Sequence, residues 1–390
     1  MNWPIVTIDS IRSESRYSLV GGPFGSNLTT RDYVEEGIPV IRGGNLPNAR
    51  EFLDEDFVFV REEKADALLA NTAYPGDVVF TQRGTLGQVG VIPLESAFPR
   101  YVVSQSQMKL TVARAKADPR YVYYFFRLPE TVQKIKNHGL TSGVPHINLG
   151  ILKAFEIPLP PLQVQKAIVS TISTYDDLIE NNRRRMALLE ESARLLYREW
   201  FVRLRFPGYE HTPIVDGVPQ GWERVPLEAA LVLQRGFDLP TQDRQEGDVP
   251  IYGSTGILGY HDNAKAVAPG VVTGRSGTLG EVQYVAEDYW PLNTALWVKE
   301  FKRVTPLFAL FLLREMDLKQ FNGGASVPTL DRKSVHRVEI LIPSAQLLRS
   351  FDDFATGVFE QIKNLHSQNQ KLRAARDLLL PRLMSGELAV

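Results

Sequence analysis

From Leu162 to about Arg203 the chain has neither proline nor glycine, and its apolar residues return at alternating steps of four and three. The positions are Ile168, Ile172, Tyr175, Ile179, Asn182, Met186, Leu189, Ala193, Leu196 and Trp200. That alternation puts one stripe along a helix, the seam of a coiled coil. A second stripe runs through Phe351, Ala355, Val358, Ile362, Leu365, Asn369, Leu372, Arg376, Leu379 and Leu383. At ~1.5 Å per residue the first helix reaches about 60 Å. Taken singly, each stripe fits an ordinary amphipathic core helix. Two stripes of equal length, each following an irregular domain, favour helix-on-helix pairing in a left-handed supercoil. The polar seam residues Asn182, Asn369 and Arg376 either fix the register or mark fraying.

Outside these helices the periods are short. Ile38 to Ile41, Val78 to Phe80, Gln88 to Ile92 and Gln107 to Leu110 are predicted strands. Tyr121 to Phe126 and Pro306 to Leu313 are predicted helices in corresponding places. The correspondence extends further, because the chain is written twice. Val144, Pro145, Glu156 and Pro160 recur at one constant offset as Val327, Pro328, Glu339 and Pro343. Gly84-Thr85-Leu86-Gly87 recurs as Gly277-Thr278-Leu279-Gly280, and Trp3 and Trp222 open the two copies. The second copy is shorter between its Trp and its Val-Pro, as duplication followed by loop divergence leaves it. Residues 206–221 hold three prolines and three glycines and are predicted to be a connector. The segments are therefore 1–160, a mixed α/β domain; 161–205, a central helix; 206–221, the linker; 222–343, a second mixed domain; and 344–390, a distal helix.

Composition narrows the functional classes. Apolar residues make up 44% and charged residues 23% of 390, which fits a globular chain. The absence of Cys excludes disulfides, thiol catalysis and Cys-ligated metals, and fits a reducing cytoplasm. No secretory signal and no run long enough to cross a bilayer is expected. With 44 Lys+Arg against 45 Asp+Glu, any nucleic-acid surface has to be built locally. No P-loop exists, since the chain lacks even a Gly-Lys dipeptide, and no dinucleotide fingerprint or Asn/Asp-Pro-Pro-aromatic tetrapeptide is present. The six histidines are scattered without metal spacing. Acidic Asp54, Glu55, Asp56, Glu62, Glu63 and Asp66 read as a solvated face. The chain is expected to bind and not to catalyse, with no catalytic residue and no metal.

Two divergent domains on long paired helices form a caliper, a device suited to DNA. Loops rich in Arg, Gln, Asn, Ser and Thr carry the donors and acceptors that base edges need. The candidate contacts are Arg42, Asn45, Gln82, Arg83, Thr85 and Ser142 in the first copy. In the second they are Ser254, Thr255, Arg275, Ser276, Thr278 and Ser326. Arg83 and Arg275 stand one residue apart in the aligned glycine frame. For each of them the plainer reading is an exposed arginine bound to nothing or to a carboxylate. Arg183-Arg184-Arg185 is either a solvated helix face or a phosphate- or partner-facing patch.

The arrangement resembles the specificity subunits of type I restriction–modification enzymes. The residues that carry the resemblance are Pro75-Gly76-Asp77-Val78, Gly84-Thr85, Val144-Pro145-His146-Ile147-Asn148 and Ile157-Pro158-Leu159-Pro160-Pro161-Leu162-Gln163-Val164-Gln165. The second copy departs from the pattern: Val271 stands for the Asp of Pro-Gly-Asp, and Ser344-Ala345 replace the second Pro and the Leu. The resemblance implies an α+β fold of two target recognition domains separated by two long helices forming an antiparallel coiled coil. It implies double-stranded DNA, two methyltransferase subunits and restriction/translocase subunits as partners. It also implies that S-adenosylmethionine, ATP and Mg2+ belong to those partners and not to this chain. The other reading the pattern allows is a non-catalytic protein–protein scaffold with duplicated binding domains.

Overall fold

A computed structural model describes residues 3–139, 144–324 and 326–390. The chain folds into two compact units, Met1–Asn182 with Gln368–Val390, and Arg183–Ser367. These units cut across the expected segments, because each takes part of both long helices into its own core.

In the first unit, Leu19–Gly21, Gln107–Leu110, Val78–Thr81 and Val89–Val91 form an antiparallel sheet in that order. The middle strands of this sheet are buried on both faces: Val78–Thr81 reads as an apolar run, whereas Gln107–Leu110 alternates and buries its polar Gln107 and Lys109 as well. A second sheet is ordered Tyr33–Val34, Val58–Val60, Ile38–Ile41, Tyr101–Val103, Thr72–Ala73, with one parallel pair between Ile38–Ile41 and Tyr101–Val103. Ile5–Thr7 pairs with Glu156–Pro158. Helix Pro119–Arg127 starts where Asp118 accepts the Arg120 amide and Pro119 takes the first position, and it buries Tyr121, Tyr123, Tyr124 and Phe126.

The second unit repeats this plan. Its four-stranded sheet runs Leu231–Arg235, Ala295–Phe301, Gly270–Gly274, Val282–Val285, and its Val249–Gly253 and Trp290–Pro291 strands supply the parallel pair. Glu223–Pro226 pairs with Glu339–Ile342, and Pro306–Glu315 is the corresponding helix.

The registers correct one alignment. Val79 faces Lys109 and Val272 faces Trp297, which makes Gly270, and not Val271, the counterpart of Asp77. Asp77 and Lys109 form a buried ion pair at 3.1 Å, with Thr111 donating to Asp77 at 2.6 Å. The second unit fills that place with Gly270, Tyr289 and Trp297: a Cβ on Gly270 would meet the Tyr289 hydroxyl at 2.4 Å. An ion pair has been exchanged for aromatic packing.

The fold is α+β, and its long helices are Leu162–Tyr197 and Ala345–Met384. In the first unit Asn182 donates to Asn369 at 3.0 Å, and Arg376 pairs with Asp176 at 2.5 Å, so the segments run antiparallel. Asn369 also donates to the Ile179 carbonyl at 3.1 Å. In the second unit Tyr197 packs on Phe351, with Ala193, Ala355 and Val358 in the same cluster. Of the named seam positions, Ile168, Ile172, Ile179, Phe351, Val358 and Leu365 are buried. Tyr175, Met186, Leu189, Leu196, Ile362, Leu372 and Leu379 are half-buried. Towards the end of the central helix Tyr197 and Phe201 lie deeper than Leu196 and Trp200. There Arg198–Val202 forms a π-helical turn, in which the Arg203 amide reaches back to the Arg198 carbonyl, and the stripe slips by one residue.

A polar chain fastens the first unit to its helices. Glu51 accepts from Arg120 at 2.5 and 2.8 Å, and Tyr124 donates to Asp176 at 2.8 Å. Burial pushes the Glu51 carboxyl up, against the pull of Arg120. The 206–221 connector is more than a tether. Ile214–Val215 and Val218–Pro219 close a hairpin on Asp216-Gly217, both at positive φ, and Phe206 packs on Trp222 with ring centroids 5.1 Å apart.

Candidate nucleic-acid interface

The Gly-Thr-Leu-Gly loops are held by main-chain bonds that match between the units. In the first, the Gln82 and Arg83 amides point at the Ser106 carbonyl (2.8 and 3.4 Å), the Gly84 amide donates to Pro145, and the Ile147 amide returns to Gln82 (3.0 and 2.9 Å). In the second, the Arg275 and Ser276 amides point at Thr294 (2.8 and 3.1 Å), Gly277 donates to Pro328, and Leu330 returns to Arg275 (2.9 and 2.8 Å). Gly84 and Gly277 have φ of 99° and 88°, a region glycine occupies without strain, which is why the loop motif begins with Gly.

The same bonds explain the Val-Pro-x-Ile/Leu-Asn/Asp motif. The proline carbonyl takes the loop glycine, Ile147 or Leu330 is buried, and Asn148 or Asp331 caps a short helix. The Ser334 hydroxyl and the Lys333 amide hold the Asp331 carboxyl below the usual range. The variable residue of the motif, His146 or Thr329, bridges across to Arg83 or Ser276.

The predicted contacts distribute unevenly. Arg83, Thr85, Thr255, Thr278 and Ser326 are exposed, and Gln82, Ser254, Arg275 and Ser276 are half-buried. Arg42 is exposed and donates to the Asp56 carbonyl at 3.3 Å. Asn45 has to be withdrawn. It is 2% exposed, its amide donates to the Leu53 and Glu55 carbonyls (3.1 and 3.0 Å), and its oxygen accepts the Arg42 amide at 2.9 Å. Its polar atoms hold a turn together and are not offered to a ligand. Ser142 lies outside the described residues. Arg184 and Arg185 are exposed, and Arg183 is half-buried.

The structure gathers Gln82 and Arg83 with Gln105 and His146 around an open cleft of about 650 Å³. In the other unit, Arg275 and Ser276 meet Asn293, Thr294 and Thr329. Gln105, His146, Asn293 and Thr329 were absent from the predicted set. A signal existed for the histidine and the threonine, which occupy the position of a repeated five-residue motif where the two copies differ most in chemical type. Among the described residues no group of three or more His, Asp or Glu side chains is placed to hold a metal ion. No described helix is long and apolar enough to cross a membrane.

Comparison with known proteins fits this duplicated frame. Residues 27–191 match the family model of the type I restriction modification DNA specificity domain. The MjaIX specificity subunit of Methanocaldococcus jannaschii is 23% identical over 89% of this chain and 88% of its own length. The chain is similar along its length to the type I specificity-subunit family. Within it, the HindI specificity subunit of Haemophilus influenzae is 20% identical over 80% of this chain and 86% of its own. The crystal structure of the type I S subunit from M. genitalium shares the fold, with a TM-score of 0.58 at 18% identity, covering 98% of this chain and 96% of that one. That likeness of fold spans both units, although the family model stops at residue 191.

Proposed function

We propose that this specificity subunit reads a split, asymmetric site on double-stranded DNA, each unit taking one half. The observation that carries the reading is the doubled loop frame. One main-chain scaffold presents Gln82 and Arg83 in one unit and Arg275 and Ser276 in the other, so two different sequences can be read by one architecture. The paired helices set the number of base pairs between the half-sites and dock two methyltransferase subunits, to which restriction/translocase subunits are added. Exposed Leu188 and Leu195, seven residues apart on the central helix, support such docking, because they are apolar positions off the seam. The chain itself is non-catalytic. S-adenosylmethionine, ATP and Mg2+ act on the partner subunits, and the complex works in the cytoplasm.

Mapping N6-methyladenine in the host genome, with and without this gene, tests the reading. A bipartite motif that vanishes with the gene is the expected result, and an unchanged methylation pattern overturns it. The spacing role has its own test. Seven residues inserted after Arg185 and seven after Leu365 preserve the seam phase and add ~10 Å, about three base pairs of DNA. The half-sites should stay the same while the spacer grows; an unchanged spacer refutes the spacing role.

A further inference from the structure

We propose that Gln82 and Arg275 are one reading position in two copies, with Gln82 addressing an adenine edge and Arg275 a guanine edge. The assignment rests on the DNA reading above and names residues within it. The backbone bonds already make the two residues counterparts, since their amides and carbonyls take matching partners.

The side chains add an independent match. Gln82 Nε2 donates to the Gln105 carbonyl at 2.6 Å, and Arg275 Nη1 donates to the Asn293 carbonyl at 3.3 Å. Gln105 and Asn293 immediately precede Ser106 and Thr294, the residues that accept the paired loop amides. Two chemically different side chains are thus tied by one N–H each to the same point of the frame. Arg83, by contrast, has serine as its counterpart, so the neighbouring position offers no such pair.

The tie leaves useful groups over. Gln82 keeps Oε1 and a second amide hydrogen, an acceptor beside a donor, which is the complement of adenine N6 and N7. Arg275 keeps donors only, the complement of guanine O6 and N7. A long side chain fixed at one atom loses less rotamer freedom on binding, which favours discrimination. Both residues are half-buried, so each is held and still reachable, and Gln82 borders the open cleft.

The test uses the full chain, tagged at its own locus and purified with whatever stays bound. It is incubated with duplexes of about 40 base pairs carrying a randomised core, and the retained DNA is sequenced. Arg275→Gln should turn one G·C pair of one half-site into A·T, with a preference of roughly 10- to 100-fold, while the other half-site and the spacing persist. Gln82→Arg should make the reverse change in the other half-site, and Arg275→Ala should leave its position degenerate. Motifs unchanged in both Arg275→Gln and Gln82→Arg show that the position is merely structural. If Arg275→Gln retains no DNA, Gln82→Arg alone decides. A wild-type chain that selects no motif overturns the DNA reading, and this assignment with it.

Discussion

The Asn182–Asn369 pair tests whether a polar contact in the seam contributes through its own bond or only through its surroundings. Both residues are buried, at 6% and 2% exposure, and their amides are 3.0 Å apart. Asn369→Leu leaves the Asn182 Nδ2 group without that acceptor inside an apolar seam. The cost of such an orphan is about 1–3 kcal/mol. Asn182→Leu removes the donor to Asn369 Oδ1 and should cost a similar amount. Replacing both removes both polar groups together and continues the apolar stripe between Ile179 and Met186 and between Leu365 and Leu372. The double variant should therefore lie within about 1 kcal/mol of the wild type, or above it. The measurement is a double-mutant cycle from urea denaturation followed by circular dichroism, with a coupling of about 2 kcal/mol expected. Additive losses, with the double variant the least stable of the three, would falsify the pairwise account.

Three further outcomes follow from packing and charge. Phe351, fully buried against Tyr197, Phe201 and Phe311, should cost about 3–5 kcal/mol as Phe351→Ala in denaturant midpoints, and a loss below about 1 kcal/mol would mean that the cluster repacks. Asp77→Ala strands the Lys109 ammonium and should cost about 3–5 kcal/mol, whereas Asp77→Ala with Lys109→Met should lose less than Asp77→Ala alone; a larger loss in the double variant contradicts this. His336 Nε2 accepts the Leu233 amide at 3.0 Å, and burial, reinforced by the Arg332 charge, lowers the His336 pKa. Its stabilising effect is thus complete above the unfolded value near 6.5 and is lost as the pH falls through the lower folded value. Midpoints measured between pH 8 and 5 should fall in the wild type and fall less in His336→Gln; parallel curves refute the linkage.

The sequence showed the long helices and the duplication because both are written in spacing, and spacing survives divergence. Strands such as Gln107–Leu110 were legible from local runs. The assembly of the second sheet of each unit was not, because pairs such as Val40 with Val102 join segments far apart in the chain. The phase slip at Arg198–Val202 was invisible as well, since Leu196 and Trp200 continue the spacing and only the packing of Tyr197 and Phe201 decides between the two stripes. Asn45 misled because asparagine is equally suited to a base edge and to a turn's own carbonyls, and composition does not distinguish the two uses. Gln82 and Arg275 could be found from loop chemistry and pair in the aligned glycine frame, but the matching ties of their side chains needed the hydrogen bonds.

In each copy the glycine loop hangs from carbonyls and amides, and its exposed side chains, Arg83 and Thr85 or Thr278, are not what holds it there. Exchange of those side chains therefore leaves folding nearly untouched. Those exposed positions could then drift one residue at a time, in either unit, without passing through an unstable ancestor.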